Sequence, residues 1–312
     1  MNLKTYQRVL LYLLGVLFLT CALSPWAARS WDLIASYRPQ WQELNYSFAR
    51  IFNRLFMALG ILLFFPCMRF LGIRSAAQLG LSNLRKDYGD ILAGALLALF
   101  SFAVIVWMMA VTDVFQPALR LNFAAGLGRV FAAVMAGLTV GVIEEIYFRG
   151  MIFKGLREDW PPWGAYAAAS AFYAALHFIR PAQENYPDGL NPWLGFVHLA
   201  HTFGRFLHPA DILAGFFGLF LLGLVLSYAF ARTGSLYLSM GLHMGWVVGI
   251  KTIKVYGNYT REDLGWFFGS TDPKFVSGFA TWLGFLAVAL IVHRLTRNRS
   301  SLSSSPPPGA AV

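Results

Sequence analysis

A chain of 312 residues that is 57% hydrophobic, 16% aromatic and only 13% charged lies outside the range of ordinary soluble domains. It reads as an all-α, polytopic integral membrane protein. A formal charge of +10 would point to nucleic acid in a soluble protein, but here the basic residues cluster in short loops and at the chain ends. The positive-inside rule accounts for them, and no nucleic-acid partner is expected.

Crossing the hydrocarbon core takes about 20 apolar residues. Such runs occur near 8–28, 49–72, 90–112, 129–153, 162–178, 212–231, 235–253 and 275–293, which predicts about eight transmembrane helices. Period-two alternation of the barrel kind is absent, so helices must satisfy the backbone in lipid. The first run follows Lys4 and Arg8, as in a signal peptide, yet its long apolar core and the poor cleavage site at Pro25-Trp26-Ala27-Ala28 favour an uncleaved span. Lys4, Arg8, Arg69, Arg74, Arg85, Lys86, Lys154, Arg157, Arg232, Arg294, Arg297 and Arg299 fall on one side of the eight-span arrangement, which assigns that side to the cytosol. Lys251, Lys254, Arg261 and Lys274 fall on the other. A multi-pass place in the plasma (cytoplasmic) membrane follows, with membrane lipid as a partner. Cys21 and Cys67 both lie in predicted spans, which argues against a disulfide framework or a thiolate metal site.

Along the chain, residues 1–87 carry the first two helices and a connection, 88–255 a core, 256–296 the last helix with its preceding loop, and 297–312 a basic, then Ser/Pro-rich tail predicted to be disordered. No internal repeat is present. Two connections stand out: 30–46, with Trp31, Tyr37, Trp41 and Tyr46, and 179–211, with Arg180, Glu184, Asp188, Asp211 and the histidines His198, His201 and His208. Their aromatics suit the membrane interface. A connection as long as the second suggests a lid, a substrate entrance or a re-entrant element. His198 and His201 are spaced to share one metal on a helical turn, and a polar interfacial segment is the favoured reading.

The stretch G-V-I-E-E-I-Y-F-R-G, Gly141 to Gly150, carries the chemistry. A charge at a helix centre costs about 2.5 to 3.5 kcal/mol on insertion scales, so intramembrane ionisable residues are functional candidates by default. Glu145 and Arg149 share a helix face in the favourable order, acid before base, and are expected to pair. That leaves Glu144, rotated by about 100°, as a second carboxylate away from water and beside a like charge, suited to accepting and returning a proton. An ion pair that only ties helices together explains Glu145 and Arg149 but not Glu144.

The turn Trp160-Pro161-Pro162-Trp163 starts the next helix. Glu144 and His177 lie at about equal sequence distance from it, so an antiparallel pair would bring them to one depth. Tyr173 is one turn before His177. A second intramembrane histidine, His243, is flanked by Gly241, Gly245 and Gly249, a small-residue stripe that permits close packing.

This constellation resembles the CAAX prenyl protease and bacteriocin-processing (CPBP) family, type II CAAX endopeptidase-like intramembrane proteases. Its E-E-x-x-x-R motif is matched by Glu144, Glu145 and Arg149, and its F-x-x-x-H motif, with tyrosine for phenylalanine, by Tyr173 and His177. Its H-x-x-x-N motif is matched at His243 only, since Val247 stands where the Asn would be. The resemblance covers about 88–255 and implies an all-helical fold of about eight spans around an intramembrane catalytic cavity, with peptide hydrolysis inside it.

By that resemblance Glu144 activates water, His177 holds the water or the scissile carbonyl, Glu145 and Arg149 orient the site, and His243 polarises the carbonyl. Valine cannot supply an oxyanion donor; Tyr173, Trp246 or a backbone N–H would have to. The family has been labelled metalloprotease, and zinc held by the Glu and His groups is the alternative. No H-E-x-x-H spacing appears, so no cofactor and no metal are expected. The partner is a peptide or protein substrate, possibly lipidated. The rival functions are a catalytically weak or inactive member acting as a membrane immunity or maturation partner, and a proton-coupled transporter, against which stands the lack of an inverted repeat.

Overall fold

The computed structural model describes residues 3–37, 46–81, 84–178, 190–253, 255–269 and 275–298. All eight apolar runs fold as helices. They are α1 (Thr5–Tyr37), α2 (Phe48–Cys67), α3 (Leu84–Val111), α4 (Phe123–Glu145), α6 (Pro162–Phe178), α8 (Pro209–Thr233), α9 (Tyr237–Ile253) and α11 (Phe279–Leu295). Shorter helices are α5 (Lys154–Asp159), α7 (Leu194–Thr202) and α10 (Gly265–Phe268). Among the described residues, five helical stretches are long and apolar enough to cross a membrane: Thr5–Tyr37, Phe48–Cys67, Asp87–Val111, Phe123–Asp159 and Pro209–Thr233. Phe279–Leu295 is a shorter apolar helix. The protein is an all-α, multi-pass membrane protein.

The chain forms two compact units, Met1–Arg74 with Leu176–Ile212, and Ser75–Ala175 with Leu213–Val312. In the first, α1 runs unbroken through Pro25 to Tyr37, so the start of the expected 30–46 connection is helical. Trp31 and Tyr46 meet at 4.7 Å between ring centroids, while Trp41 lies outside the described residues. The described end of the 179–211 segment is also more ordered than a loop: α7 lays Leu194 against Cys21, Phe48 and Phe52. A Cβ on Gly195 would strike the Cys21 carbonyl. Residues 176–212, placed with the core by sequence, therefore pack with the N-terminal helices. Arg180, Glu184 and Asp188 lie outside the described residues, as does the tail from 299 onward.

In the second unit α9 is the central element, packed most extensively on α3 and next on α4. Glycines make this possible. A Cβ on Gly245 would lie 2.6 Å from the Ala95 carbonyl oxygen and 2.7 Å from Ala98 Cβ, and one on Gly94 would lie 2.5 Å from the Leu238 carbonyl oxygen. On the other side, Gly137 and Gly141 of α4 admit Met244 and Val248 and the Met240 backbone. Backbone approach of this kind replaces the hydrophobic drive that lipid does not supply.

Gly245→Val should lower stability by about 1–3 kcal/mol through overpacking. Gly284→Ala, whose Cβ would meet only Ile105 Cδ1 at 3.5 Å, should be neutral. Thermal unfolding in detergent compares the two, and equal midpoints would contradict the packing argument.

Two further features escaped the sequence. Short strands β1 (Phe115–Pro117) and β2 (Gly257–Tyr259) pair antiparallel, Phe115 opposite Tyr259, and link the ends of α3 and α9. Arg261 secures the join, donating to the Thr112 carbonyl at 3.0 Å and to both Asp263 carboxylate oxygens at 3.0 and 2.6 Å. Between α4 and α5 the helix does not stay α: Ile146–Phe153 is a π-helix, and the continuous helical stretch Phe123–Asp159 contains 37 residues.

Candidate active site

The glutamate pair ends α4 and the arginine lies in the π-helical turn that follows. Glu145 is 0% exposed and Arg149 1% exposed. Arg149 Nη1 donates to Glu145 Oε1 at 2.8 Å, as the four-residue spacing predicts. Nη2 reaches the Gly223 carbonyl on α8 at 3.4 Å. The guanidinium also lies over the Tyr173 ring, 4.7 Å from its centroid, and 5.8 Å from that of Phe148. A buried arginine with a carboxylate, a carbonyl and an aromatic face around it has its charge compensated on several sides.

His243 reaches the same carboxylate from α9. Its Nδ1 is 2.9 Å from Glu145 Oε1. Paired with Arg149, Glu145 is a carboxylate and can only accept, so Nδ1 carries the proton. Ser239, one turn earlier on α9, faces the same carboxylate but donates to the Leu236 carbonyl at 2.9 Å. The imidazole packs edge-on to Tyr173, with ring centroids 6.2 Å apart.

Glu144 differs in kind from its neighbour. It is 28% exposed, and its Oε2 lies 3.8 Å from His243 Nε2, beyond hydrogen-bond reach. Oε2 itself is shielded and has no hydrogen-bond partner. One carboxylate is thus neutralised and fixed, while the other borders open space with a bare oxygen aimed at an imidazole. Such an arrangement can take a proton from a small molecule and give it back.

Residues 126–249 match the type II CAAX prenyl endopeptidase family, Rce1-like. No curated protein and no solved structure matches the chain. The Rce1-like segment runs from α4 into α9 and holds every residue of the cluster. It supports a membrane-embedded endopeptidase acting on a peptide or protein.

Within the Rce1-like segment Glu144, Glu145, Arg149, Tyr173 and His243 come together. His177 occupies the last turn of α6, one turn past Tyr173, half-buried and in the first compact unit. Val247 is half-buried one turn past His243. Trp246 points elsewhere: its indole N–H donates to Ser101 Oγ at 3.0 Å, its ring meets Phe285 at 5.0 Å, and it lines an apolar cavity with Phe102, Ile105, Leu222 and Phe275. As an oxyanion donor Trp246 is already committed.

The other histidines are dispersed. His198 is buried between Phe48 and Phe52, at 5.1 and 4.9 Å between ring centroids, while His201 and His208 are exposed. Among the described residues no group of three or more His, Cys, Asp or Glu side chains is placed to hold a metal ion. The Gly223 carbonyl was invisible to sequence, being backbone from a distant helix. Ser239 carried a readable signal, four residues before His243 on the same face.

Proposed function

We propose that the protein is an intramembrane endopeptidase in which Glu144 activates the water that cleaves a peptide bond. The observation that carries this reading is the contrast between the two glutamates, Glu145 held by Arg149 and His243, Glu144 Oε2 without a partner. In the proposed step the water oxygen bonds to the scissile carbonyl carbon, its proton passes to Glu144, and the carbonyl π pair moves to oxygen. On collapse the C–N bond breaks and Glu144 returns the proton to the leaving amine.

The E-E-x-x-x-R and histidine motifs support roles for Glu145 and Arg149 in orienting the site, and for His177 in holding the water or carbonyl. The oxyanion would be met by Tyr173 or a backbone N–H, since Val247 has no donor and the Trp246 N–H is bound to Ser101. The mechanism is metal-free, because an arginine already neutralises the carboxylate that a cation would need. The substrate includes lipidated peptides, and the plasma membrane is the proposed location.

The test is cleavage of quenched-fluorescence peptides, prenylated and plain, by the detergent-purified protein. Turnover should survive EDTA and fall at least about 100-fold in His177→Ala. Absence of turnover on both peptide types, or EDTA inhibition reversed by zinc, would overturn the reading.

A further inference from the structure

Glu144 Oε2 and His243 Nε2 face each other at 3.8 Å without bonding. We infer that His243 Nε2 is a hydrogen-bond acceptor that holds the attacking water jointly with Glu144 Oε2, and that Glu145 is the positioning residue that fixes the imidazole in this state. The inference rests on the endopeptidase reading and reverses the role that resemblance gives His243, that of a donor to the carbonyl oxygen.

The argument starts at Arg149, whose guanidinium is always charged. At 2.8 Å it keeps Glu145 an acceptor. The Nδ1 contact at 2.9 Å then requires a proton on Nδ1, and a neutral imidazole protonated there leaves a lone pair on Nε2. Both atoms that face across the gap are therefore acceptors, which a bridging donor of two hydrogens satisfies. With ordinary hydrogen bonds of about 2.8 Å to each, acceptors 3.8 Å apart subtend about 85° at the donor oxygen. Water fits that angle with modest distortion.

A water held by both hydrogens turns its lone pairs outward, toward a substrate carbonyl. One proton goes to Glu144 as the C–O bond forms; His243 keeps the other hydrogen bond and ends the cycle unchanged. Val247 agrees with this assignment. On α9 neither motif position then offers a donor, so the helix orients the nucleophile and leaves the oxyanion to another element.

The experiment is nitrogen-15 NMR of the full-length protein labelled at histidine, in detergent at about pH 8, above the ordinary imidazole range near 6.5. His243→Asn identifies the resonances. Protonated Nδ1 with bare Nε2 supports the inference; protonated Nε2, alone or together with Nδ1, overturns it. This readout does not depend on any peptide being cleaved, so it fails separately from the protease reading.

A kinetic arm tests the positioning role. Glu145→Gln should lower kcat by about 100-fold or more, change KM less than about threefold, and shift His243 toward the Nε2-protonated tautomer. Unchanged tautomer and kcat in that variant, or His243→Ala turning over within about threefold of wild type, would equally overturn it. Should Glu145→Gln not fold, the wild-type spectrum and His243→Ala still decide.

Discussion

Glu144→Gln should reduce peptide cleavage by about 10²- to 10⁴-fold, the contribution of a positioned general acid–base, and leave the fold intact. Glutamine keeps the shape and polarity of the side chain but cannot accept the water's proton. Glu144 is 28% exposed and its Oε2 makes no hydrogen bond that the amide would break. The change in stability should stay within about 0.5 kcal/mol, as for a site with no committed partner. Turnover of quenched peptides, read beside thermal unfolding, separates the two effects. A variant retaining more than a tenth of wild-type turnover would remove Glu144 from the proton path.

Arg149→Met should be the most destabilising change in the site. It leaves Glu145, at 0% exposure, as a buried carboxylate whose remaining close partner is His243. Breaking a buried pair from one side costs about 3–5 kcal/mol, whereas replacing both partners is often near neutral. The double variant Glu145→Gln/Arg149→Met should therefore recover most of the lost stability while cleavage stays low, because the imidazole is no longer oriented. Unfolding in detergent by heat or denaturant measures both. A single variant within about 1 kcal/mol of wild type would mean that the pair is not the anchor its burial suggests.

The eight helices were legible because apolar runs of spanning length are a one-dimensional signal. The Glu145–Arg149 pair was legible for a similar reason: spacing along one helix fixes a face. What lies between elements was not. The direction of the Trp246 indole depends on Ser101, far away in sequence. The choice of Glu145 as partner of His243 depends on how closely α9 approaches α4. The small-residue stripe hinted at that approach but could not say which carboxylate it would deliver. Residues 30–37 and α7 were read as connections because polar and aromatic interface residues dilute the apolar signal, although helices continue through them. Strands of three residues, such as β1 and β2, leave no periodicity to read.

The π-helical turn at Ile146–Phe153 bears on how such a site can change. Hydrogen bonds of the i→i+5 kind hold one residue more per turn than those of an α-helix. Removing a single residue there would let the segment relax to a regular α-helix and swing everything beyond it by about 100° relative to Glu144 and Glu145. Arg149 would leave its carboxylate while the apolar character needed for the bilayer stayed intact. A one-residue deletion could thus abolish catalysis yet preserve insertion, giving a short mutational route between an enzyme and a purely binding relative of the same architecture.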